Sequence, residues 1–136
     1  MQKARRNNKK TIPRKLYIMD LDQTLWSGRE LYPDTKDILQ TLRKNGHLIY
    51  LASFNDKVPS ILKQLGIYHL FHGGAFTAGA SKYGMILEII QHSGQKNNIE
   101  FYDDLPSNIE EVNVRSRGAV RTVLVRDGIK WDLIHQ

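Results

Sequence analysis

Short apolar runs alternate along the chain with longer stretches in which apolar residues recur every three or four positions. The first run, Leu16-Tyr17-Ile18-Met19, follows Pro13 and is rich in aromatic and branched side chains. It predicts a strand buried on both faces rather than a helix. A helix entered at Asp34 or Thr35 should follow, with Ile38, Leu39 and Leu42 on one face and a stop at Asn45-Gly46. His47 to Ala52 predicts a second strand. The polar turn Ser53-Phe54-Asn55-Asp56 is placed to cap a helix with Pro59 in its first turn, Ile61, Leu62 and Leu65 inside, and Gly66 at its end. Tyr68 to Ala80 contains Gly73, Gly74 and Gly79 and reads as mostly irregular, with a short edge strand within Leu70–Phe76. A helix from Ser81 to His92 carries Met85, Ile86, Ile89 and Ile90 and ends at Gly94. Ile99 to Tyr102 is a strand that runs into Asp103-Asp104. Pro106 opens a helix with Ile109 and Val112, closed by Gly118; Ala119 to Val125 is the last strand, and Asp127-Gly128 turns into a short terminal helix. Strands alternating with helices predict an α/β fold whose sheet is mainly parallel and covered on both faces.

Composition narrows the picture. With 136 residues the chain supports one domain and little else. It has no cysteine, which excludes disulfides, thiolate metal sites and cysteine-based phosphatase chemistry. No apolar stretch reaches the length of a membrane span, and no apolar segment follows the basic N-terminus as a signal peptide requires. The expectation is an intracellular, cytoplasmic protein with no membrane partner; nothing in the sequence excludes a nuclear location. The net charge of +6 is a local feature. Residues 1–15 hold Lys3, Arg5, Arg6, Lys9, Lys10, Arg14 and Lys15 and no acid, leaving 13 basic against 14 acidic residues in the remainder. The chain therefore divides into a basic tail, residues 1–13, expected to be disordered, and a single domain over 14–136. A basic arm is suited to phosphate polymers such as nucleic acid, or is simply a solvated segment.

The chemistry-bearing residues all follow predicted strands, and in open α/β sheets ligands bind at the carboxyl ends of strands. Asp20 and Asp22, with Thr24, follow the first strand; Ser53 and Phe54 follow the second; Asp103 and Asp104 follow the fourth; Lys82 opens the helix that leads to that fourth strand. Two carboxylates one residue apart repel each other unless a cation or a shared proton intervenes, which points to a hard divalent metal, Mg2+. An acidic turn is the plain alternative for Asp20-x-Asp22-x-Thr24, and a helix cap for Asp103-Asp104. Lysine in a first helical turn opposes the helix dipole, so Lys82 calls for a functional reason. Together the groups provide a nucleophile, a proton donor and a cation, the parts that phosphate-ester chemistry needs. A P-loop is absent from the sequence.

Taken in order, Asp20-x-Asp22-x-Thr24, Ser53, Lys82 and Asp103-Asp104 make the chain resemble the haloacid dehalogenase superfamily of phosphohydrolases. Asp20-Leu-Asp-Gln-Thr-Leu-Trp26, Leu31-Tyr-Pro33, Ala52-Ser53, Ser81-Lys82, Phe101-Tyr-Asp-Asp104 with Asn108-Ile109, and Val125-Arg-Asp-Gly128 are similar to its eukaryotic-type magnesium-dependent phosphatase branch. The resemblance spans about residues 14–134. It implies a Rossmannoid three-layer sandwich without a large cap domain, and phosphomonoester hydrolysis through an aspartyl-phosphate. It further implies Asp20 as nucleophile and Asp22 as acid and then base. Mg2+ would be held by Asp20, the Asp22 main-chain carbonyl and Asp104, with Asp103 in an outer role. Ser53, the N–H of Phe54 and Lys82 would bind phosphoryl oxygens, and Thr24 would orient the loop.

Two departures bear on substrate. Phe54 stands where the related enzymes carry a basic residue, and the loop from Trp26 to Leu31 is short. The cleft is therefore expected to be open to bulky, even macromolecular, phosphorylated substrates: phosphotyrosine protein or sugar phosphates. A polynucleotide end phosphatase using the basic tail, and a non-catalytic phosphate-binding module, are the alternative readings.

Overall fold

The computed structural model describes residues 12–76 and 81–136. Five strands form one sheet: β1 (Leu16–Met19), β2 (Leu48–Ser53), β3 (Gly73–Phe76), β4 (Ile99–Asp103) and β5 (Val120–Leu124). Their order is β3-β2-β1-β4-β5 and every pairing is parallel, so the sheet is wholly rather than mainly parallel. Among the described residues four α-helices connect them: α1 (Thr35–Lys44), α2 (Val58–Gln64), α3 (Lys82–Ser93) and α4 (Pro106–Arg115).

The alternation along β1 explains its uniformly apolar sequence. Tyr17 and Met19 face one core with Ile38, Leu39 and Leu42 of α1 and Val58 and Leu62 of α2. Leu16 and Ile18 face a second core with Met85, Ile86 and Ile89 of α3 and Val112 of α4. Helices thus cover both faces, and β1, buried on each, has no position for a polar residue before Asp20. Among the described residues no second domain covers the carboxyl edge of the sheet, and no helix is long and apolar enough to cross a membrane. Residues 1–11 of the basic tail, and Thr77–Ala80 of the glycine-bearing segment, lie outside the described residues.

Local chemistry sets the element ends with some departures from the sequence-based picture. The turn before α2 does not cap it through a side chain; Lys57 occupies the N-cap, and Asn55 Oδ1 instead accepts from Lys57 N at 2.9 Å. Asp34 also leaves its helix uncapped, because its carboxylate accepts from Trp131 N at 3.0 Å. Ser81 does cap α3, accepting from Gly84 N at 2.9 Å. The terminal helix shortens to a 3-10 turn at Trp131–Leu133, and a similar turn at Tyr68–Leu70 precedes β3.

The segment after β5 matters because it buttresses the loop after β1. Ile129 N donates to Thr24 O at 2.9 Å, and Tyr32 lies against Gly128, whose φ is +86°. A Cβ built on Gly128 would come within 2.2 Å of the Tyr32 ring. Gly128→Ala is therefore expected to cost about 1–3 kcal/mol from the left-handed backbone alone, with the ring displacement adding to it. Urea unfolding of the purified variant measures this, and a loss below about 0.5 kcal/mol would contradict the packing described.

Candidate active site

Strand order assembles the site. β1 lies between β2 and β4, so the residues leaving these three strands emerge side by side. The chain passes from β1 to β2 on one side and later to β4 on the other, and this change of direction opens a crevice at the carboxyl edge. Asp20 continues the ladder, its N–H donating to Tyr102 O at 2.9 Å. A cleft of about 190 Å³ opens there, bounded by Asp20, Asp22, Ser53, Phe54, Lys82 and Asp104, with Gln23, Asn55, Leu105 and Asn108 completing the wall.

Lys82 organises the floor. Only 1% exposed, its ammonium donates to Asp20 Oδ1 at 2.8 Å, Asp103 Oδ2 at 2.8 Å and Ala52 O at 3.1 Å. These three bonds use all three ammonium donors. The role read from the resemblance, binding phosphoryl oxygens, requires one of them to open. The rings of Phe54 and Phe101 lie 5.2 and 5.7 Å from the same nitrogen. Thr24 is fully buried and its hydroxyl donates to the other oxygen of Asp20 at 3.4 Å. Burial pushes the Asp20 carboxyl up to about 7 despite the attraction of Lys82, with the Asp103 charge adding to the rise. Burial also raises the Asp104 carboxyl above its ordinary range.

The paired aspartates occupy different environments. Asp103 is fully buried and saturated: Oδ1 accepts from Leu105 N at 2.9 Å, and Oδ2 accepts from Lys82 and from Asn108 Nδ2 at 3.2 Å. Asp104 is half-buried and lines the cleft. Carboxylate oxygens of Asp20, Asp103 and Asp104 come within 4.8 Å of one another. Asp22 is exposed at the cleft, with Oδ1 accepting from Trp26 Nε1 at 2.8 Å. Ser53, at the end of β2, is 2% exposed and its hydroxyl accepts from Asn55 N at 3.1 Å. Phe54 is 39% exposed at the mouth.

All eight residues singled out in the sequence, Asp20, Asp22, Thr24, Ser53, Phe54, Lys82, Asp103 and Asp104, meet at this edge. Thr24 and Asp103 stand behind the cleft wall and act on it through Asp20 and Lys82. Sequence reasoning gave no site role to Asn108, Gln23 or Leu105, although Gln23 and Asn108 stand within the motifs that carry the resemblance. Asn108 stands two residues into α4, where its amide reaches back to the carboxylate five positions earlier; the Asp-Asp-x-Pro-x-Asn spacing is the signal that could have identified it.

No protein-family model matches the chain, and no curated protein matches it. Solved structures do. A candidate phosphatase from Clostridium difficile superposes with a TM-score of 0.72 at 14% identity, over 88% of this chain and 89% of that one. A haloacid dehalogenase-like family hydrolase from Streptococcus pneumoniae gives 0.69 at 13% identity, over 88% and 89%. The N-terminal part of a Bacteroides fragilis protein, containing a phosphatase domain and complexed with Mg, gives 0.67 at 20% identity over 84% of this chain and 37% of that one. The chain has the haloacid dehalogenase-like fold: a parallel sheet between two helical layers, here without a large cap.

Proposed function

We propose that the protein is a phosphatase: a divalent-metal-dependent phosphomonoester hydrolase that works through an aspartyl-phosphate on Asp20. The observation that carries this reading is the Asp20 carboxylate itself, held at the cleft floor by Lys82 at 2.8 Å and Thr24 at 3.4 Å, with Asp22 at the same opening. In the first step an Asp20 oxygen bonds to phosphorus as the bond to the leaving oxygen breaks, and Asp22 gives that oxygen its proton. In the second, water passes a proton to Asp22 and attacks phosphorus; the bond to Asp20 breaks and inorganic phosphate leaves.

A hard cation fits the donor set, since the oxygens of three carboxylates converge within 4.8 Å and no nitrogen or sulfur ligand stands among them. Asp20, the Asp22 carbonyl and Asp104 would hold Mg2+. Asp103 is already engaged by three donors, which favours Asp104 as the direct ligand. When bound, the ion supplies positive charge for the developing phosphoryl charge.

Phe54 and Leu105, 39% and 49% exposed, give the opening an apolar rim. An apolar rim favours aryl leaving groups, phosphotyrosine among them, over sugar phosphates. The polynucleotide reading rests on the basic tail, most of which lies outside the described residues, and on the open cleft, which serves the aryl reading equally.

The test is a panel of phenyl phosphate, phosphotyrosine peptide, a hexose phosphate and 5′-phosphorylated DNA ends. Chelation should abolish turnover and Mg2+ restore it, with kcat/KM on the aryl esters at least about tenfold above the hexose phosphate, a difference of about 1.4 kcal/mol in transition-state binding. Turnover that survives exhaustive chelation would overturn the metal-dependent reading; preference for the hexose phosphate would overturn the aryl one.

A further inference from the structure

The loop after β1 carries a contact that the reaction scheme does not use. Trp26 Nε1 donates to Asp22 Oδ1 at 2.8 Å, and an indole N–H is a donor that neither titrates nor reverses its role. Asp22 is exposed, so without a partner its carboxylate would be spread over several staggered rotamers. The bond selects one.

Trp26 is itself held. It is half-buried, packs against the core that contains Leu21 and Leu25, and forms bridges to both Asp22 and Leu31. Gln23 N donates to Trp26 O at 2.9 Å. Gln23 adopts a φ of +63°, a conformation uncommon for a non-glycine residue, and its side chain is engaged at both ends. The amide donates to Ser27 O at 3.2 Å and the carbonyl accepts from Tyr32 OH at 3.1 Å. The Trp26 backbone is therefore tied to the loop while its side chain packs on the core, and both restrict where the indole N–H can point.

We propose that Trp26 is a positioning residue for Asp22: its indole N–H aims the Asp22 carboxylate across the cleft, so that the second oxygen meets the leaving-group oxygen of a bound phosphomonoester. This rests on the phosphatase reading above. Orientation of an acid relative to the reacting atom changes rates strongly, because a misplacement of about 1 Å can cost about a hundredfold. Trp26 thus belongs functionally with Asp20, Asp22 and Thr24 in the loop after β1, rather than with the aromatic packing residues.

The experiment compares Trp26→Phe, which keeps an aromatic ring in place but removes the donor, with Asp22→Asn and the wild type. Each is assayed by kcat/KM on phenyl phosphate, whose leaving oxygen needs a proton, and on 2,4-dinitrophenyl phosphate, whose leaving oxygen does not. kcat/KM reports the steps through phosphoryl transfer and is insensitive to later hydrolysis of the aspartyl-phosphate. For Trp26→Phe the loss on the phenyl ester should exceed that on the dinitrophenyl ester by about tenfold or more, in the same direction as Asp22→Asn but smaller. A merely structural role would lower both esters equally, and that result overturns the proposal. If Asp22→Asn shows the leaving-group difference and Trp26→Phe does not, the positioning inference falls while the acid assignment stands. If Asp22→Asn shows no difference, the acid assignment falls and the proposal with it.

Discussion

Asp20→Asn is expected to reduce hydrolysis of phenyl phosphate by about three orders of magnitude or more, equivalent to about 4 kcal/mol of barrier, while the fold survives. Asparagine preserves the shape and can still accept from Lys82, but its amide oxygen does not form a stable bond to phosphorus. Retention of a tenth of wild-type turnover would remove Asp20 from the nucleophile's role.

The same variant carries a second, independent readout in stability. Burial holds the Asp20 carboxyl at about 7 in the folded protein, above its value of 3.8 in the unfolded chain. Between those two values the native state binds a proton that the unfolded state does not. The group's contribution is therefore fully present below about 3.8 and is lost as pH rises through about 7. The substituted amide has nothing to ionise. In chelator, the melting temperature of the variant should therefore gain on the wild type as pH rises from roughly 4 to roughly 8, and Mg2+ should narrow the gap by binding the wild-type carboxylate. An unchanged difference between roughly pH 5 and pH 8, values that bracket the folded titration, would mean that the carboxylate is better solvated than its 7% exposure indicates.

Lys82→Met should have the largest effect on stability. The ammonium lies 2.8 Å from both Asp20 and Asp103, and Asp104 completes a group of three carboxylates within 4.8 Å. Methionine fills the space and supplies no charge. Removing one partner of a buried ion pair leaves uncompensated charge and costs about 3–5 kcal/mol. For a domain of this size that is a fall in melting temperature of roughly 10 °C or more. Loss of the cation also removes the attraction that opposes protonation of Asp20, so this carboxyl takes up a proton more readily in the fold. The variant should therefore recover stability as pH is lowered from roughly 8 to roughly 5 and weaken again as pH rises. Adding Asp103→Asn should restore part of the stability by removing one of the facing charges, without restoring turnover. A melting temperature within about 2 °C of wild type at about pH 8 would show that the two ion pairs are not a net support, as happens when desolvation balances attraction.

Much of this site could be read before the fold was seen, for a physical reason. Hydrophobic periodicity is a local property: a run such as Leu48 to Ala52 is apolar because both faces of its strand are covered, and the polar Ser53 at its end marks the carboxyl edge. Asp20, Ser53 and Asp103 each follow such a run, so their placement on one edge required no knowledge of which strands pair. The glycines at 46, 66, 94 and 118 marked helix ends in the same local way, each with a positive φ.

What depends on neighbours distant in the chain was beyond such reading. The order β3-β2-β1-β4-β5 is a choice among long-range pairings, and the pairing of β1 with both β2 and β4 sets Asp20 between Ser53 and Asp103. Lys82 is 62 residues from Asp20 and 21 from Asp103, so its three-way bonding arises from packing of α3 across the strands and not from its position in a first helical turn. The different environments of Asp103 and Asp104 follow from donors at Lys82, Leu105 and Asn108 that converge on one carboxylate and leave the other at the cleft. Even a short-range feature, the indole of Trp26 on Asp22, depended on the tertiary structure. Four residues apart in a helix, two side chains meet by geometry; in an irregular loop they meet only because the core and the segment carrying Tyr32 fold the loop back on itself.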